Sequence, residues 1–127
     1  MDNNMISQFN DVRNRTIAFV KGMNSDIAHI VPDGFNNNIL WNVGHIIVAC
    51  DHWIFPKLKQ IHRVTHHYHL IFRKGTSPKT WEVDPPNIHE LIDVLKKQLV
   101  EITDACLGNL DKKLPAFVRK SLFFEGA

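Results

Sequence analysis

Between Asn38 and Pro56 the chain reads NILWNVGHIIVACDHWIFP, and this stretch restricts the fold more than any other. Ile39, Leu40, Val43, Ile46, Ile47, Cys50, Trp53 and Ile54 recur at spacings of three, four, seven and eight, which draws one apolar stripe on an α-helix. Trp41, His45, Val48 and His52 draw a second stripe. Little of the circumference is left for solvent, mainly Gly44, Asp51 and Asn42. A helix apolar on two sides belongs between neighbours, so the rest of the chain should pack around it. Its two imidazoles then need partners, because an unsatisfied buried polar group costs about 1–3 kcal/mol.

Two further helices follow from periodicity. From about 4 to 30, Ile6, Phe9, Val12, Thr16, Val20, Met23 and Ile27 share one side, with Gln8, Asp11, Arg15 and Lys21 opposite. Pro32-Asp33-Gly34 ends this helix as a turn, and Gly22 is a weak point inside it, costing about 1 kcal/mol relative to alanine. The central helix is expected over about 37–58, capped by Asn36, Asn37 or Asn38 and ended by Pro56. The third spans about 87–107. Asn87 caps it, Glu90 stands three residues on as a capping box, and Ile88, Leu91, Ile92, Leu95, Leu99, Ile102 and Cys106 form its apolar face. No alternating strand pattern and no internal repeat occurs. The fold class is therefore all-α, and the 127 residues suit a single helical domain.

The segment from about 59 to 86 is long for a helix connection, which favours a crossover between parallel or non-adjacent helices. Five of the eight histidines crowd between His52 and His69. His62 and His66 have the i, i+4 spacing of a metal pair, but without a carboxylate to complete a ligand set the cluster reads as a solvated connection. His45 and His52 lie about 10.5 Å apart along the helix axis, too far for one ion. Ser77 has no histidine or carboxylate at a telling spacing, and phosphate-binding glycine loops are absent.

Composition narrows the remaining classes. A formal net charge of +2 gives no general affinity for nucleic acid, although Lys57, Lys59, Arg63, Arg73, Lys74 and Lys79 make the crossover basic. Cys50 and Cys106 sit at apolar helical positions without a CxxC unit, as packed thiols do. No apolar run approaches the length of a membrane helix and MDNNMISQFN is not a secretory signal, so a cytoplasmic location is expected.

The segment Ile39-Leu40-Trp41-Asn42-Val43-Gly44-His45-Ile46 resembles the second-helix signature of the DinB-like family, a tryptophan followed by a glycine-histidine pair. Phe72 with Lys74-Gly75-Thr76-Ser77-Pro78 resembles that family's crossover. Pro85 through Leu107, then Leu110-Asp111-Lys112-Lys113-Leu114, is similar to its third helix and the loop after it. The resemblance implies an up-down-down-up four-helix bundle and a divalent metal, zinc or nickel, held by three histidines, of which the first maps onto His45. It also implies homodimers and metal-dependent enzymes that act on small thiols, such as thiol S-transferases. The family's other two ligands form a His-x-x-x-His pair on the fourth helix. Here Phe123-Phe124-Glu125-Gly126-Ala127 resembles only the lead-in to that helix. The expectation is thus a shortened bundle with an incomplete metal site, its open apolar face covered by self-association into a homodimer or larger oligomer. The alternative expectation is a non-catalytic helical interaction module in which His45 is a hydrogen-bonded core residue.

Overall fold

The computed structural model describes residues 3–55 and 64–107. Within them the chain forms α1 (Asn3–Lys21), α2 (Ser25–Ala28), α3 (Ile39–Trp53), α4 (His66–Phe72), a 3-10 turn (Pro78–Thr80) and α5 (Ile88–Leu107), with no strand among the described residues. The all-α expectation holds, and α1, α3 and α5 fall within the three stretches of helical periodicity, α5 over nearly the whole of its expected span.

Their directions can be read from the two apolar layers of the core. Phe9, Ile54 and Ile102 belong to one layer, while Val20, Leu40 and Ile88 belong to the other. Going from the first layer to the second, α1 runs forward whereas α3 and α5 both run backward. The order is therefore up-down-down, with the crossover between the two parallel helices.

The expected first helix divides in two. α1 ends at Lys21, and Asn24 adopts extended backbone and accepts the Asp26 N–H on its side-chain oxygen at 2.8 Å, which caps the single turn α2. A cap of this kind offers the backbone an alternative to continuing the helix next to Gly22. The buried face of α1 is also turned from the expected stripe. Phe9, Arg13, Ile17 and Val20 are buried, whereas Val12 is 43% exposed; Ile27, on α2, is 50% exposed. An arginine inside is the reason: a pattern counted on apolar residues steps past Arg13 onto Val12.

α3 begins as expected. Asn38 is its cap, with its side-chain oxygen 2.7 Å from the Trp41 N–H. Asn87 caps α5 through the Glu90 N–H at 2.8 Å. The Glu90 carboxylate does not close back onto Asn87, however; it accepts the phenolic proton of Tyr68 and ties α4 to α5.

The described part of the crossover, residues 64–86, is more ordered than its composition suggests. α4 occupies its middle and buries Tyr68, Ile71 and Phe72. It runs antiparallel to α3, since Asp51 meets Val64 and His69 while His45 meets Phe72. Gly44 and Asp51, expected at the solvent, are both buried beneath it.

Arg13 and Gln98 form a polar layer between the two apolar ones. Arg13 donates to Leu95 O at 3.1 Å and to Gln98 Oε1 at 3.0 Å, and lies 3.6 Å from Cys50 Sγ. Gln98 Nε2–H donates to Ile47 O at 2.8 Å. The layer links all three long helices, and it satisfies groups that would each cost about 1–3 kcal/mol if left bare. Burial pushes the Cys50 thiol up, against the opposing pull of the Arg13 guanidinium, so the thiol stays protonated.

Candidate functional site

The site is built around His45, in the middle of α3 and only 8% exposed. Its placement starts with Gly44. A Cβ there would fall 2.3 Å from Phe72 Cγ, so the phenylalanine ring lies directly on the α3 backbone, where no side chain would fit. That close approach carries the last carbonyls of α4 to the imidazole.

A helix end leaves four carbonyls without intrahelical partners, and here the site supplies several. His45 Nδ1–H donates to Phe72 O at 2.8 Å. Trp81 Nε1–H donates to Ile71 O at 2.9 Å, and the Thr76 hydroxyl lies 2.7 Å from both Ile71 O and Arg73 O. Thr76 N–H also donates to Arg73 O at 3.1 Å. The histidine is thus part of the C-terminal cap of α4.

A carbonyl only accepts, so Nδ1 must carry a proton. In the neutral ring the basic lone pair is then left on Nε2. The plane of the ring is set from a second direction. Trp41, one turn earlier on α3, stacks on His45 with ring centroids 4.6 Å apart and 9° between planes. Trp41 Nε1–H in turn donates to Thr76 Oγ1 at 2.9 Å.

The other candidates do not join this site. His52 shares its sequence stripe with His45 but is exposed, its ring edge-on to Trp53. His66 and His67 are exposed on α4, and His62 lies outside the described residues. Ser77 N–H and Ser77 O bond to Thr80 Oγ1, a local turn without a base. Arg73, Lys74 and Lys79 are exposed, while Lys57, Lys59 and Arg63 lie outside the described residues. Among the described residues no three His, Cys, Asp or Glu side chains group so as to hold a metal ion.

Two features are not legible in the sequence. Asp51 is completely buried, with Oδ2 2.7 Å from His69 Nε2 and Oδ1 accepting the Val64 N–H at 3.1 Å. This pair anchors the start of α4 as the His45–Phe72 bond anchors its end. Tyr68 is the other, with its phenol pushed well above the usual range by burial and by the Glu90 carboxylate. The Tyr68, Ile71, Phe72 spacing is one face of a helix too short to register as a stripe, and nothing local marks Asp51 as buried.

No helix among the described residues is long and apolar enough to cross a membrane. A family model described as the DinB superfamily matches residues 8–116. Comparison with curated proteins and with solved structures gave no match.

Proposed function

The chain belongs to the DinB superfamily, and on that premise we propose that it is a metal-dependent protein of the cytoplasm that handles low-molecular-weight thiols, with His45 Nε2 as one ligand of a divalent metal, zinc or nickel. The observation that supports this reading is the bond from His45 Nδ1–H to Phe72 O. Metal-binding histidines characteristically donate their second nitrogen to a carbonyl or carboxylate, which fixes the tautomer and raises the basicity of the ligating nitrogen. Taken alone, His45 fits a metal. The described residues do not supply the rest of a ligand set, so the remaining ligands have to come from elsewhere in the chain or from a second copy. A metal with an open position would stabilise a substrate thiolate for attack.

A second reading has its own observation. Ile27, Ile30 and Phe35 are 50%, 58% and 69% exposed beside an open, mainly apolar depression of about 320 Å³ at the start of α3. Apolar side chains clustered in this way mark interaction surfaces. In that case the domain is a helical interaction or dimerisation module and His45 serves only to cap α4.

Metal analysis of the purified full chain separates the two. The first reading expects near-stoichiometric zinc or nickel, lost in His45→Ala. Metal that is absent, or retained equally by the variant, overturns it in favour of the interaction module.

A further inference from the structure

We propose that Thr76 and Trp41 are positioning residues for His45, and that the turn after α4 thereby decides which imidazole nitrogen the site presents. The proposal deepens the metal-ligand reading, but its principal test needs no metal.

The Thr76 hydroxyl has one proton and lies 2.7 Å from two carbonyls, Ile71 O and Arg73 O, which takes up its donor. Its lone pairs are left to receive the Trp41 indole N–H at 2.9 Å. Trp41 is buried, and this bond holds its ring in the plane on which His45 stacks. The stack and the Phe72 carbonyl constrain the imidazole in different ways. The carbonyl selects Nδ1 as the protonated nitrogen, and the indole face keeps the ring from rotating out of that bond. Ile71, Phe72, Arg73 and Thr76 lie within six consecutive residues, so the end of α4 and its turn form one small frame that grips His45 both directly and through Trp41.

Valine matches threonine in shape but accepts nothing. Thr76→Val therefore leaves the indole N–H of a buried tryptophan without its acceptor, and Trp41 must tilt to find another. Thr76→Ser keeps the acceptor. Trp41→Phe keeps a stacking ring but breaks the link to the turn.

The test is nitrogen NMR of the His45 ring and of the Trp41 indole N–H in the full chain, wild type against these three variants, at one neutral pH. Wild type and Thr76→Ser should show a single tautomer, with a protonated Nδ1 and a pyridine-type Nε2, and a slowly exchanging indole proton. Thr76→Val and Trp41→Phe should show tautomer-averaged His45 signals while their urea transitions remain cooperative. A single Nδ1–H tautomer in Thr76→Val, or failure of serine to restore it, overturns the proposal. Should Thr76→Val fail to fold, the comparison of Trp41→Phe with wild type decides by the same criterion. Cobalt(II) titration runs in parallel. Where wild type binds, Thr76→Val should weaken binding about 10-fold, the lower end of what outer-shell partners of metal histidines contribute. Absence of cobalt binding in wild type counts against the metal reading, whereas the roles of Thr76 and Trp41 stand or fall on the NMR spectra alone.

Discussion

Replacing Gly44 by alanine tests how closely α4 is seated on α3. The new Cβ would stand 2.3 Å from Phe72 Cγ and 2.4 and 2.5 Å from the two Cδ atoms, against an ordinary separation of about 3.5–4.0 Å between carbons. The ring cannot yield sideways, because Phe72 is completely buried with Tyr68 and Trp81 edge-on at 5.9 and 5.8 Å. α4 must withdraw instead, by about 1 Å or more, and the His45–Phe72 bond goes with it. Overpacking of this kind costs about 1–3 kcal/mol and sometimes more. Unseating Phe72 altogether would approach the roughly 3–5 kcal/mol of a Phe→Ala change. Alanine returns about 1 kcal/mol of helix propensity. The expected net loss is about 2 kcal/mol, a fall in Tm of roughly 5–10 °C for a chain of this size. Urea and thermal denaturation followed by circular dichroism measure it. Gly22→Ala is the control: its Cβ meets nothing closer than 3.7 Å, so it should be neutral or stabilising by up to about 1 kcal/mol. Phe72→Leu in the Gly44→Ala background should give back part of the loss, since residues in contact are not additive. A Gly44→Ala protein that melts at or above the wild-type temperature would refute the close seating, and with it the account of how Phe72 O reaches His45.

Gln98→Leu keeps the volume of a residue 1% exposed but removes the acceptor of Arg13 and the donor to Ile47 O. About 3 kcal/mol should be lost by urea titration, because a guanidinium is left under-satisfied inside. Asp51→Asn and His69→Ala should each destabilise, with a double-mutant coupling of about 1–2 kcal/mol. A coupling near zero would show that the pair is incidental. Burial pushes the Cys106 thiol up from 9.0 to about 11. The native thiol keeps its proton where the unfolded one has lost it, so this group has no effect below about pH 9. Above that it lowers stability, by up to about 1.4 kcal/mol per pH unit until about pH 11. Cys106→Ala should accordingly lose about 1 kcal/mol less than wild type between about pH 8 and about pH 10.

What the sequence discloses is what periodicity can carry. Ile88, Leu91, Ile92, Leu95, Ile102 and Cys106 are buried on α5 as their spacing requires, and Asn38 and Asn87 cap where their side chains can reach the next turn. The family resemblance leads to His45 through Trp41 and Gly44, and superfamily membership holds over residues 8–116. Periodicity fails at three polar residues that lie inside. Arg13, Asp51 and Gln98 are each buried because a group distant in sequence answers them: Leu95 O, His69 and Ile47 O respectively. No local pattern records such a partner. α4 escapes a periodicity reading for a related reason. Its seven residues include three histidines, and only three of the seven are buried, so its helical face is too short to register as a stripe.

The same partners tie stability to the presentation of the site. α4 is far shorter than a helix that holds together in water on its own, which needs about 12–15 residues. It persists because both ends are held from outside. Asp51 takes the Val64 N–H and His69 at its start, and His45, Trp81 and Thr76 take its final carbonyls. Fraying of the last turn would therefore remove the acceptor that gives His45 its tautomer, and a rotated His45 would in turn leave Phe72 O bare. Each state enforces the other. A ligand on Nε2 favours the Nδ1–H tautomer, so it must stabilise the end of α4, and linkage requires that stabilising α4 tighten the ligand in equal measure. His45 is for this reason a core residue whose ring is held in one orientation. The structural role supplies the orientation that a ligand role would need.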